Sequence, residues 1–208
     1  MIMKRFRAPM LVAAFVLAAA IAAGGGIALS HFQGAERNAL PQGAVPVQQP
    51  ALGKFVPTEP ARPAPGTAFE DAAGKRVTLA DFRGRTLLVN LWATWCGPCV
   101  REMPALGRLA AAMAGKDFAV VLVSEDRGGA ATVEPFIAKH DLGALGSDLD
   151  PKGDLGRAFG VRGLPTTILI GADGKERGRI EGAADWDGET ERALLRRLIA
   201  GDGKTAAQ

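Results

Sequence analysis

Three short runs of apolar, mostly branched residues constrain this 208-residue chain more than anything else in it: LLVNLW at Leu87–Trp92, FAVVLV at Phe118–Val123 and TTILI at Thr166–Ile170. None alternates polar with apolar, so each reads as a strand covered on both faces. The segments between them carry helical spacing. Cys99, Met103, Leu106, Ala110 and Met113 recur at 4-3-4-3, and Val133, Phe136, Ile137 and His140 share one face of a second helix, with His140 expected as a core histidine. Strands covered by helices make an α/β architecture. Asp173-Gly174, ahead of Glu176–Ile180, is a hairpin signal, so the central sheet is expected to be mixed. A last amphipathic helix is expected from about Asp187 to Ala200, with Leu194, Leu195, Leu198 and Ile199 inward and Gly201 as its stop.

The sequence ahead of this domain is of another kind. Lys4, Arg5 and Arg7 precede Met10–Leu29, 20 residues without a charge. A run of that length can cross a bilayer once as a helix. A cleaved signal peptide is the alternative, since its apolar region of about 7 to 15 residues ends in small residues such as Ala18 to Ala23. Run length favours an uncleaved anchor, and under either reading everything after residue 30 is exported. Seven of the 13 prolines lie between Pro41 and Pro65 among Gln, Ala and Gly, which reads as a semi-extended linker. The expected division is a basic cytoplasmic end (1–9), a transmembrane anchor (10–29), a Pro-rich linker (30–65), a core domain (66–200) and a flexible tail (201–208).

Charge follows the same division. The formal +3 separates into six basic and two acidic residues over positions 1–65, against 19 basic and 20 acidic over 66–208. A nucleic-acid footprint belongs on the folded domain, so that class is excluded. With 48% hydrophobic residues the chain is no disordered polymer, and two Cys cannot build a disulfide scaffold.

Both cysteines fall in one motif, Trp95-Cys96-Gly97-Pro98-Cys99, where LLVNLW gives way to the first helix. A thiol at a helix N-terminus faces unpaired N–H groups and the positive end of the helix dipole, which stabilise the thiolate. Two intervening residues leave Cys99 close enough to close a disulfide with Cys96, so a mixed disulfide could be resolved within the chain. Pro98 suits a first helical turn, where its missing N–H costs nothing. Half a zinc site, a structural disulfide and inert buried thiols are the alternatives. Zinc takes about four ligands and the domain offers only His140 besides the pair; a disulfide closing so short a loop gains little chain entropy.

WATWCGPC with the later Gly163-Leu164-Pro165-Thr166-Thr167 resembles the thioredoxin superfamily, and LLVNLWATWCGPCVREMPAL is similar to its membrane-anchored TlpA/ResA/DsbE-like branch. The resemblance covers residues 66–200. It implies a thioredoxin fold, a central mixed sheet with flanking helices, carrying an N-terminal β-hairpin extension. It also implies Cys96 as the attacking cysteine, Cys99 as the resolving one, and Pro165 as a cis-proline packed on the disulfide. Trp95, Gly97, Pro98 and the Leu164 backbone would then meet the substrate. Ordinary thioredoxins carry a buried acid at the position of Asn90; Glu102, three residues after Cys99, is the candidate to replace it in proton transfer, as in ResA-like proteins. Its alternative role is a first-turn Glu stabilised by the dipole. Pro104 should kink the first helix. Trp92 and Trp186 read as packing residues.

The function expected from this reading is thiol:disulfide exchange by a membrane-tethered, extracytoplasmic reductant. Gly-Pro between the cysteines matches thioredoxin, whose potential is about −270 mV, whereas strong oxidants lie near −120 mV. The resemblance implies protein disulfide substrates in apocytochrome c or copper-site assembly proteins, and electrons from a membrane thiol carrier of the DsbD/CcdA kind. No cofactor and no metal are expected. A disulfide oxidase is one alternative. A Sco-like copper chaperone is another, weakened by the two-residue spacing and the lack of any His after His140. A peroxiredoxin-like peroxidase is the third, weakened because the peroxidatic Cys of that family is not in CxxC.

Overall fold

The structure, a computed structural model, describes residues 53–205 apart from positions 114, 116, 143 and 144. The expected anchor and the first part of the linker lie outside the described residues. In chain order the strands are β1 (Phe55–Pro63), β2 (Phe69–Glu70), β3 (Arg76–Val77), β4 (Thr86–Trp92), β5 (Phe118–Ser124), β6 (Asp148–Leu149), β7 (Thr166–Ile170) and β8 (Lys175–Glu181). The helices are α1 (Gly97–Ala112), α2 (Ala130–Lys139), α3 (Asp154–Phe159) and α4 (Glu189–Thr205). No helix among the described residues is long and apolar enough to cross a membrane.

One sheet orders the strands β1-β8-β7-β4-β5-β6-β2-β3. β4 pairs parallel with β5 and antiparallel with β7, so the sheet is mixed, as the Asp173-Gly174 turn requires. The three apolar runs occupy its centre, and their alternation feeds two cores. Leu88, Trp92, Leu122, Leu169 and Ile180 face a cluster that includes Met103, Leu106 and Leu109 of α1 and Leu195 of α4. Leu87, Val89, Leu91, Val121, Val123, Ile168 and Ile170 face the other, with Leu155 and Phe159 of α3. Fully burying such a side chain contributes about 1.5–3 kcal/mol, which is why runs apolar on both faces settle in mid-sheet. α1 continues through Pro104, which lies on its exposed side.

Three sequence-based expectations need correction. The linker does not reach residue 65, because Phe55–Pro63 is an edge strand paired antiparallel with β8, Phe55 opposite Ile180 and Pro63 opposite Lys175. Its half-buried residues, Phe55, Thr58 and Ala61, recur every third position and not every second, and proline is tolerated at a sheet edge where no donor is missed. The strand therefore had no period-2 signal. The tail does not begin at 201: α4 runs on to Thr205, since a glycine inside a helix costs only about 1 kcal/mol relative to Ala. His140 is exposed and not in the core; it caps the C-terminus of α2 and lies over Phe136, ring centroids 4.3 Å apart.

β1 is fastened by a buried carboxylate. Glu176 of β8, 1% exposed, accepts from Thr58 Oγ1 at 3.0 Å, Arg62 Nε at 3.0 Å and Arg179 Nε at 2.9 Å. Arg179 also donates to the Phe159 carbonyl, which ties α3 to the same cluster.

At the other side of the sheet, burial pushes the Asp148 carboxyl up to about 6, against a hydrogen bond from the Ala72 backbone and with help from the Asp71 charge. A folded-state value above the unfolded one means stability that is full below about pH 4 and is lost as pH rises through about 6. Asp148→Asn is expected to raise the urea midpoint at about pH 8 and to leave it nearly unchanged at about pH 4.

Candidate active site

β4 is flanked by β5 and β7, and the chain leaving its C-terminal end turns at once into α1. Cys96 N–H bonds to the Ala93 carbonyl at 3.1 Å, closing a tight turn over Ala93–Cys96. Cys96 is then the N-cap of α1: the Cys99 N–H donates to Cys96 Sγ at 3.3 Å and the Val100 N–H to the Cys96 carbonyl at 3.1 Å. Pro98 sits in the first turn, where no donor is lost. Sγ of Cys96 and Cys99 are bonded to each other across a Cα–Cα distance of 5.3 Å. Both residues are buried, but unequally, at 5% and 1% exposed, so Cys96 is the more accessible residue of the pair.

Beside the pair, Trp95 is 72% exposed, one of two large apolar side chains left open among the described residues. Gly97 is exposed and Pro98 half-buried. A cavity of about 250 Å³ adjoins Trp95, rimmed by Arg127, Lys152 and Arg157 with Glu125 on its wall. Burial, then the Asp150 charge, push the Glu125 carboxyl up, while Arg157 opposes them.

The Gly163–Thr166 segment is brought to the same end of the sheet. Leu91 is opposite Thr166, so Pro165 lies one position further on, level with Trp92. The Leu164–Pro165 peptide bond is cis, Thr166 Oγ1 donates to the Gly163 carbonyl at 2.7 Å, and the Gly182 N–H donates to the Pro165 carbonyl at 2.9 Å. Leu164 packs against both cores.

Glu102 is not a first-turn surface acid; it is 5% exposed, on the sheet-facing side of α1. Parity explains its partners. Asn90 shares the β4 face of Leu88 and Trp92, which α1 covers, and Thr167 is directly opposite Asn90 across the ladder. Asn90 Nδ2 accordingly donates to Glu102 Oε1 at 2.8 Å and to Thr167 Oγ1 at 2.9 Å. Oε2 accepts from the Ala184 N–H at 3.0 Å and from Trp186 Nε1 at 3.1 Å. Burial raises the Glu102 pKa, and these three donors, Ala184, Asn90 and Trp186, hold the rise back. Asn90 and Glu102, read separately in the sequence, are thus one hydrogen-bonded unit. Trp186 packs as expected, at 1% exposed, but it is also a partner of Glu102, 84 residues away in sequence. No local pattern could have found that link.

The residues that hold the turn before Cys96 were also missed. Asp126, just beyond β5 and 3% exposed, accepts from the Thr94 N–H at 2.8 Å, from Thr94 Oγ1 at 2.7 Å and from Ser124 Oγ at 2.8 Å. Trp92 is core as expected, with Nε1 donating to Ser147 Oγ at 2.9 Å.

The family described as Redoxin matches residues 59–196. The thiol-disulfide oxidoreductase ResA of Bacillus thuringiensis subsp. konkukian is 34% identical over 119 residues, 57% of this chain and 68% of that protein. ResA of Geobacillus thermodenitrificans is 35% identical over 121 residues, 57% of this chain and 67% of that protein. A crystal structure of a DsbE-type thiol:disulfide interchange protein from Chlorobium tepidum superposes with a TM-score of 0.61 at 30% identity, covering 67% of this chain and 96% of that one. Likeness of this extent, over nearly the whole described domain and through its cysteine pair, places the chain in the Redoxin family as a thiol-disulfide oxidoreductase of the TlpA/ResA/DsbE type.

Proposed function

We propose that the protein reduces disulfides of other proteins at the outer face of the cytoplasmic membrane, tethered there through residues 10–29. The observation that carries the chemistry is the Cys99 N–H aimed at Cys96 Sγ at the N-terminus of α1, which stabilises Cys96 as a thiolate. In the reduced protein this thiolate attacks one sulfur of a substrate disulfide, and the other substrate sulfur leaves as a thiolate that takes up a proton. Cys99 then loses its proton and attacks Cys96 Sγ. The second substrate thiolate departs, the substrate has gained two electrons, and the Cys96–Cys99 disulfide seen here is the product form. Trp95, Gly97, Pro98 and the Leu164–Pro165 backbone frame the sulfur that a docking partner reaches. Gly97-Pro98 favours the reducing direction, as in thioredoxin. Apocytochrome c or copper-site assembly proteins supply the disulfide, and a membrane thiol carrier of the DsbD/CcdA kind returns the electrons.

A glutathione redox titration tests the direction: a potential below about −200 mV fits a reductant, and one well above it makes the protein an oxidase. Retention in the membrane pellet after carbonate extraction, with the domain open to protease from outside, tests the tether.

Glu102 is the group we assign to proton transfer with Cys99. Its raised pKa makes the carboxylate a stronger proton acceptor than one at the surface, fitted to take the proton that Cys99 gives up before it attacks Cys96 Sγ. Glu102→Gln is expected to slow exchange and to remove the pH step that lies between the ordinary carboxylate value and its raised one. Because the raised pKa also means stability lost as pH rises through that window, the variant's urea midpoint should change less from acid to neutral pH. An alkylation pH profile of the thiols identical to wild type would sink the role, even if the amide, offering one oxygen to three donors, lowers stability.

A further inference from the structure

The carboxylate of Asp126 has no place in the steps above, yet it is one of the most buried acids among the described residues and stands beside the reactive turn. β4 and β5 stay paired one residue past their ends, with the Glu125 N–H donating to the Trp92 carbonyl at 2.9 Å. Beyond that point the backbone ladder stops and the Asp126 side chain takes over. Its Oδ2 accepts from the Thr94 N–H and from Ser124 Oγ, each at 2.8 Å, and its Oδ1 accepts from Thr94 Oγ1 at 2.7 Å. Ser124 Oγ in turn accepts the Asp126 N–H at 3.1 Å, which leaves the carboxylate little freedom to rotate.

Thr94 is the second residue of the Ala93–Cys96 turn, and the two that follow are the exposed Trp95 and the N-cap Cys96. Fixing both the N–H and the hydroxyl of Thr94 fixes the orientation of that turn. A buried carboxylate with no ion-pair partner among the described residues is a costly way to hold an ordinary loop, since an unpaired buried charge is disfavoured. What it gains here is rigidity: hydrogen bonds to a carboxylate are about twice as strong as neutral ones.

We infer that Asp126 is a positioning residue for thiol exchange, which through Thr94 sets the aim of Cys96 Sγ and the stance of the Trp95 indole. It touches neither sulfur nor substrate in this role. A thiolate must approach a disulfide in line, and a displacement of about 1 Å can cost as much as a hundredfold in rate. This role rests on Cys96 as the attacking thiol, which trapping in the Cys99→Ser protein tests by itself, so either can fail without the other.

The test compares the full-length chain with Thr94→Val, Thr94→Ser, Asp126→Asn and the Thr94→Val/Asp126→Asn double variant. Reduced protein is assayed with insulin as a generic protein disulfide and with oxidised glutathione, below the urea midpoint of every variant, and Cys96 reactivity is followed by alkylation against pH. The expected result is a loss of about tenfold or more in both assays for Thr94→Val and for Asp126→Asn. Thr94→Ser should stay within about twofold of wild type, because it keeps both donors, and the double variant should be no slower than the slower single one. The Cys96 alkylation profile should be displaced in Thr94→Val, although that variant changes no charge. Folded variants with wild-type rates and profiles would overturn the inference. So would an effect of Asp126→Asn with none of Thr94→Val, which would mean that the carboxylate acts by its charge and not through the turn.

Discussion

The Cys99→Ser protein is expected to accumulate as a covalent adduct with its partner, joined through Cys96, and to lose turnover by on the order of a thousandfold or more. The two sulfurs differ in access and in role. Cys96 is the N-cap of α1, 5% exposed and accepting from the Cys99 N–H, whereas Cys99 is 1% exposed within the first turn of the helix. Attack on a partner therefore falls to Cys96. Release depends on Cys99, held across a Cα–Cα distance of 5.3 Å, where an intramolecular thiol has an effective concentration no external thiol matches. Serine keeps the shape and removes the second nucleophile, so the first step proceeds and the second does not. Mass spectrometry of the adduct identifies the partner and thereby tests the apocytochrome c and copper-assembly proposals directly. Trapping by Cys96→Ser, with none by Cys99→Ser, would reverse the two roles.

Glu176→Ala is expected to cost about 3–5 kcal/mol, a large part of the stability of a domain this size. The magnitude comes mainly from what is left behind. Among the described residues Arg179, its side chain 13% exposed, would keep only the Phe159 carbonyl, and a buried cation without its carboxylate is strongly unfavourable. Arg62, 57% exposed, adds little by itself because water screens it. Loss of the Thr58 and Arg62 bonds would also loosen β1 from β8. Urea unfolding reads the stability change, and faster proteolysis within residues 55–63 reads the release of the strand. A loss below about 1 kcal/mol would show that the pairing of β1 with β8 holds without the carboxylate.

The contrast between β1 and β4 shows why some elements were legible and others were not. Burial on both faces leaves a run such as LLVNLW no polar positions, a pattern few other structures produce, and the observed strand is Thr86–Trp92. β1 lies at the edge with a period-3 burial pattern and three prolines, which in a sequence resembles a linker. α1 was legible from its spacing, although Leu109 and Glu102 also face inward and were not counted on that face. Both lie at the same edge of the apolar arc, Glu102 about 60° and Leu109 about 80° around the helix from Cys99; Leu109 is apolar, whereas the burial of Glu102 is tolerable only through its three donors.

What the sequence by itself determined was the α/β class, the mixed sheet, the CxxC pair at a helix start and the proline loop that follows. Each is a local pattern: strand burial, helix period and N-terminal capping operate within a few residues. Tertiary structure alone decided how Glu102 could be buried and what holds Cys96 in place. Asn90 of β4, and Ala184 and Trp186 of the segment between β8 and α4, converge on Glu102, and Asp126 reaches Thr94 across 32 residues. Such bonds form only after the sheet has placed the ends of its strands side by side. A buried carboxylate is tolerable only where the fold supplies its donors, and the spacing of residues along the chain does not record which donors those are.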